Sequence, residues 1–338
     1  MPTSNLNTRF QNLLTEQDSL LRSVYHCTTD RLGKTVCPVM STEKSRGETV
    51  MSFNYDVVEA HPVTLVYDHV HFWIVGCGGT GSFLVQLIVR IALDLIQKGK
   101  PTRITLVDPD RVEARNTIRQ CFCSAEIGRN KAETLAIRYA LAYDVEIEAI
   151  SLAFQPQWIQ QLYWSDRSSP NTLTILLGCV DRASGRRSLH QALNYNRDRN
   201  QQRVWWIDAG NGNRHGQVLV GSSLSTDPND YRFTELGCTS LPSPGIQAKE
   251  LLIDKPEELQ ENRLSCAELA QLDRQSLVVN AQAATIAAEL ALDLVNSELT
   301  SFAVYFDLRS GTEHRYITEK SVNEAIAPFA QTQSMPSG

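Results

Sequence analysis

The stretch HFWIVGCGGTGSFL, from His71 to Leu84, decides the fold. It reads as a short apolar strand, a glycine turn and the start of an amphipathic helix. Gly76, Gly78 and Gly81 fit the pattern glycine, any residue, glycine, two of any, glycine. A strand that turns sharply into a helix needs residues without a Cβ where the backbone must approach a phosphate. The free N–H groups of the helix's first turn, with its dipole, then favour negative charge. The stretch therefore predicts a nucleotide site and leaves open which nucleotide and which chemistry.

The next strand, RITLVD from Arg103 to Asp108, ends in an acid where a ribose hydroxyl would need an acceptor. Asp108 lies 27 residues beyond Gly81, further than the spacing of about 20 in dinucleotide enzymes. Past it the chain carries Arg115, Asn116, Arg119, Arg129 and Lys131. A diphosphate needs fewer cations than this, and a triphosphate suits the set better.

Outward from this stretch, strands alternate with helices. Strands are expected at 72–75, 104–108, 145–150, 173–180 and 204–208. Helices are expected at 80–97, 131–143 and 183–197. In the first helix Phe83, Leu84, Leu87, Ile88, Ile91 and Leu95 form one apolar face. This rhythm predicts an α/β, doubly wound, Rossmann-like fold with a mostly parallel sheet. After Asp208 the rhythm breaks. A strand at 216–221 precedes a long crossover loop from Ser222 to about Gln275, then an alanine-rich helix over 276–296. A terminal hairpin, 303–308 with 314–317, supplies a C-terminal antiparallel extension. Residues 1–60 read as an irregular extension, with loop over 28–48, and 326–338 as a flexible tail. The body, 61–325, divides into a nucleotide-binding half, about 61–210, and a C-terminal part, about 211–325.

The 338 residues are 42% hydrophobic and 21% charged, with net charge −6. That is the composition of an ordinary globular protein, and the negative charge argues against nucleic acid as the main partner. No apolar stretch of about 18 residues is apparent and no signal-peptide core, so a cytoplasmic, non-membrane protein is expected. Eight cysteines stand at 27, 37, 77, 121, 123, 179, 238 and 266 with no C-x-x-C pair, which leaves a structural zinc site without support.

Four blocks in order resemble the ThiF/MoeB/HesA family, relatives of the ubiquitin-activating enzymes, and above all the ThiF-like proteins of bacterial plasmid and mobile-element cassettes. They are GCGGTGS at Gly76–Ser82; Asp108, Asp110, Val112, Glu113, Asn116, Arg119 and Gln120 in the form D-x-D-x-V-E-x-x-N-x-x-R-Q; Lys131 of G-x-x-K; and Gly178 to Asp181 on the fourth strand. The resemblance runs from about Phe72 to Leu308. It implies ATP-dependent adenylation: a C-terminal carboxylate of a small ubiquitin-like or sulfur-carrier protein attacks the α-phosphate and pyrophosphate leaves.

By the same resemblance Gly76, Gly78, Gly79, Gly81, Asp108, Asp110, Asn116, Arg119 and Lys131 bind ATP. Arg119, Lys131 and Asp181 are catalytic, Asp181 acting by holding Mg²⁺ on the nucleotide. Cys266, ahead of the alanine-rich helix, stands where family members carry a cysteine that takes the acyl group onward; Cys238 stands alone where relatives begin a zinc motif. The family's enzymes imply a homodimer, but the N-terminal R-Y-x-R-Q signature is not recognisable; Arg9 and Arg22 are the nearest substitutes. A NAD- or FAD-dependent oxidoreductase, or a catalytically silent nucleotide-binding scaffold, remains as the alternative.

Overall fold

The computed structural model describes residues 56–165, 171–196, 203–254 and 276–333, with short strands at Thr28–Thr29, Thr35–Val36, Val39–Ser45 and Glu48–Asn54 before them. Its centre is an eight-stranded sheet. The strands are β1 (His69–Val75), β2 (Thr102–Val107), β3 (Ile147–Ile150), β4 (Thr172–Gly178), β5 (Val204–Asn211), β6 (His215–Gly221), β7 (Ser301–Asp307) and β8 (Gly311–Tyr316). Across the sheet the order is β8-β7-β6-β5-β4-β1-β2-β3. Strands β3, β2, β1, β4 and β5 run parallel, and β6, β7 and β8 add antiparallel pairs. The expected doubly wound sheet with its antiparallel extension is therefore present.

The central strands are apolar on both sides because helices cover both faces. Alternate residues divide between two cores as the pleat requires. Phe72, Ile74, Ile175 and Leu177 join one core, Trp73, Val75, Leu176 and Trp206 the other. Helices α1 (Gly79–Gln97), α2 (Lys131–Tyr143) and α5 (Val279–Val295) pack on the first face. Helices α3 (Pro156–Ser165) and α4 (Ala183–Ala192) cover the second.

Helix α1 is buried on more than the single predicted stripe: Val85, Val89 and Ala92 are also enclosed. The cause is α5, whose buried Ala283, Ala284, Ala287 and Ala291 allow close packing of the two helices. Contrary to the sequence reading, α1 is long and apolar enough, at 19 residues, to cross a membrane, but 56% of that window is buried inside the protein, as in a core helix.

Other boundaries are corrected. The expected loop over 28–48 contains strands, among them a hairpin in which Val39–Ser45 pairs with Glu48–Asn54. Helix α3 was not foreseen. A final helix, α6 (Glu319–Gln333), occupies much of the expected tail. The described part of the crossover, residues 222–254, is not structureless. Short strands at Phe233–Thr234 and Gly237–Cys238 and three helical turns lie within it, and the Gln247 side chain donates to the carbonyls of Val220 and Pro242.

One core residue on β1 is polar. His71 is 3% exposed and its Nε2 lies 2.8 Å from Thr105 Oγ1. Burial, with Arg103 nearby, pushes its pKa from 6.5 down to about 3. The unfolded chain therefore binds more protons than the folded one between about pH 3 and 6.5. Stability from this group is complete above 6.5 and is lost as pH falls through that window, at up to about 1.4 kcal/mol per pH unit. We expect His71→Gln to flatten the pH dependence of the urea midpoint most clearly between about pH 5 and 6.5, above the carboxylate range; parallel pH profiles for variant and parent would contradict this.

Candidate active site

Strand register sets the site. Val107, Val75, Gly178 and Asp208 stand level across β2, β1, β4 and β5. Gly76 therefore leaves the sheet between Asp108 and Cys179, where the strand order of the doubly wound sheet reverses and a crevice opens. Gly76 has φ +92°, and a Cβ on it would lie 2.6 Å from the Cys179 carbonyl oxygen. A Cβ on Gly81 would lie 1.8 Å from the Gly76 oxygen. These two glycines let strand, turn and helix touch. Gly78 is different: its nearest neighbour would be Gln120 Nε2 at 3.8 Å. Gly78 also caps α1 with no side-chain hydrogen bond, which keeps first-turn N–H groups open to an anion.

Asp108 is nearly buried and braces this turn. Its Oδ2 accepts from the Cys77 N–H at 2.6 Å and its Oδ1 from the Asp110 N–H at 2.8 Å. Burial raises its pKa despite those donors. Each oxygen keeps a second lone pair for another donor. Asn130, which the sequence reading passed over, ties the segment down. It caps α2 by accepting from Glu133 N–H and donates to the carbonyls of Asp108 and Asp110. An asparagine just before a helical run was its available signal. Lys131 is buried, with Nζ 2.9 Å from Asp110 Oδ2 on the surface. Asn116 is also buried, and its Oδ1 accepts from Glu113 N–H.

Beside the turn lies a cleft of about 1210 Å³. It brings together three predicted residues, Gly79, Arg119 and Asp181, and its wall also contains Thr80, Asn211 and Asn280. Gly76, Gly78, Gly81, Asp108, Asp110, Asn116 and Lys131 fall outside the lining of this cleft. Asp181 is exposed just past β4, and among the described residues its carboxylate accepts no hydrogen bond. The Asn211 amide donates to Thr80 Oγ1 and Asn280 Oδ1, both at 2.9 Å. Asn280 in turn reaches the Arg119 carbonyl at 3.4 Å. This latch joins β5, α1, α5 and the Arg119 turn, parts too distant in sequence for a motif to reveal.

Arg186, which lines the cleft, makes a buried ion pair behind it that sequence reading missed. Arg186 on α4 is 7% exposed and Asp208 on β5 is fully buried. Arg186 Nε donates to both Asp208 oxygens, at 3.1 and 3.2 Å. Its Nη1 donates to the Asp181 carbonyl at 3.2 Å. Burial raises the Asp208 pKa while the guanidinium opposes that shift.

The cysteines divide clearly. Cys238 is buried, and burial pushes its thiol up to about 12, so it is a protonated core residue at neutral pH and not a nucleophile. Cys77 is likewise buried, Cys179 is half-buried in the cleft wall, and desolvation raises the thiol pKa of both. Cys266, Arg9 and Arg22 lie outside the described residues.

Gly81→Ala should lower stability by more than about 3 kcal/mol, because its Cβ meets backbone oxygen that has nowhere to move. Gly78→Ala, whose Cβ makes only an ordinary contact with Gln120, should unfold much closer to the parent yet bind ATP more weakly. Urea melts and nucleotide calorimetry on the pair separate the two roles; equal melts would refute the division.

A model of the ThiF family matches residues 63–307. Similar solved structures include PaaA, with TM-score 0.44 and 15% identity over 73% of this chain and 64% of that one. E. coli MccB with AMPCPP and MccA has TM-score 0.44 and 17% identity over 73% and 63%. E. coli MccB with ATP has TM-score 0.43 and 16% identity over 73% and 63%. The chain thus spans less than two thirds of the length of these structures. No curated protein matches the sequence.

Proposed function

The chain belongs to the ThiF family, and from that premise we propose that it catalyses ATP-dependent adenylation of a C-terminal carboxylate. The observation that carries this reading is a cleft beside the glycine turn whose lining includes Gly79, Arg119 and Asp181.

In the proposed reaction a carboxylate oxygen bonds to the α-phosphorus. The α–β bridging P–O bond breaks, and its electron pair leaves with pyrophosphate. The open N–H groups of the turn receive phosphate oxygens, and Asp108 accepts from the ribose. Arg119 stabilises the charge that grows on the leaving group; Asp110, Asn116 and Lys131 shape the nucleotide side of the turn, with Lys131 held by its ion pair. Asp181 fits a magnesium site, since Mg²⁺ is usually bound through one or two carboxylates together with substrate phosphates. When bound there, Mg²⁺ supplies positive charge against the triphosphate oxygens.

The substrate of this reading is a small ubiquitin-like or sulfur-carrier protein, with residues 61–325 as the adenylating unit and a homodimer as the assembly. Onward transfer to Cys266 is a further part of the proposal. It draws support from the exclusion of Cys238, whose thiol is locked in the core.

Calorimetric titration with Mg·ATP, using NADH as competitor, tests the reading. ATP should bind in a magnesium-dependent way and NADH should not displace it. Asp181→Ala should weaken Mg·ATP binding at least about 10-fold with little change in melting temperature, because the side chain is exposed. In pyrophosphate exchange with a carrier, the same substitution should cost about 10²–10³ in rate. Tight NADH binding with indifference to ATP would overturn adenylation in favour of hydride transfer.

A further inference from the structure

We infer that Arg186, aimed by Asp208, is a positioning residue that holds Asp181 in place for the metal–nucleotide complex; this rests on the proposed role of Asp181. Four residues carry the chain from Gly178, the end of β4, to Ala183, the start of α4. Asp181 lies within that short link, exposed, with no donor to its carboxylate among the described residues. What fixes it is its own carbonyl, which accepts from Arg186 Nη1. Arg186 sits one turn into α4 and reaches back over the link.

The guanidinium is itself held from the far side. Both Asp208 oxygens accept from Nε, leaving the Nη edge to face the link and the cleft. The fold makes room for this. A Cβ on Gly178 would lie 2.7 Å from Trp206 Nε1, 2.8 Å from Leu189 Cδ1 and 3.3 Å from Asp208 Oδ1. The glycine that ends β4 thus opens the space in which the acid stands.

A buried ion pair is weak evidence for stability, because a well-packed apolar pair of similar volume often serves as well or better. Its use here is geometric. A ligating carboxylate whose backbone is fixed in advance loses less freedom on binding a cation. A residue that orients a metal ligand from behind typically changes metal affinity about 10–100-fold when altered. The planar fork of arginine spans Asp208 and the Asp181 carbonyl at once. A lysine, as a single point charge, keeps the pairing with Asp208 and gives up the second contact.

The test measures the Mg²⁺ concentration for half-maximal ATP binding by calorimetry, with metal-free ATP affinity as reference. Two variants guard against misfolding: Arg186→Lys retains the charge, and Arg186→Met with Asp208→Leu replaces the pair by apolar groups without changing net charge. Both should melt near the parent, bind metal-free ATP within about 2-fold and shift the Mg²⁺ midpoint upward at least about 10-fold. A parental midpoint in either folded variant, while Asp181→Ala does shift it, overturns the inference and leaves Asp181 as the metal residue. Equal loss of metal-free and metal-bound ATP binding also overturns it, because Arg186 would then act on the phosphates directly. If Asp181→Ala leaves the Mg²⁺ midpoint unchanged, the reading of Asp181 itself fails and the inference falls with it.

Discussion

Everything in this molecule depends on one close approach. At the end of β1 the backbone of Gly76 passes so near the Cys179 carbonyl that no side chain fits between them. The parallel pairing of β1 with β4 creates this contact, and Gly81 repeats it by bringing α1 down onto the Gly76 oxygen. Helix α1 can then start directly at the sheet's edge, with its N-terminal amides turned to the crevice.

Around that contact the polar groups fall into two sets. On the β2 side, Asp108 accepts one bond on each oxygen from the turn and its neighbouring segment, and Asn130 ties the Asp108 and Asp110 carbonyls to α2. They make a rigid rim, and Lys131 is drawn into it by Asp110. On the β4 and β5 side, Arg186, Asn211 and Asn280 line the cleft, with Asp208 buried behind Arg186, and together they link four elements. Rigidity on both sides suits the proposed role of holding a flexible triphosphate in one geometry. The two exposed or half-exposed charges, Asp181 and Arg119, face the space between.

Sequence periodicity located the parallel strands and helices α1 and α2 closely, because strand and helix patterns depend on residues a few positions apart. It failed where that local signal is weak. The polar α6 and the short aromatic α3 take their helical form while packing on neighbours that lie far off in the chain. The predicted face of α1 was too narrow because nothing local announces that α5 will cover its second side.

The same division holds for the site. The sequence by itself determined the glycine turn, the acid at the end of β2 and the acid after β4, since turn sterics and strand ends are local properties. The tertiary structure alone decided what those groups touch: that Lys131 meets Asp110, that Cys238 is sealed in the core, and that Arg186 joins Asp208 to Asp181. Charged and polar groups choose partners by burial and distance in space, and neither is written in the spacing of residues along the chain.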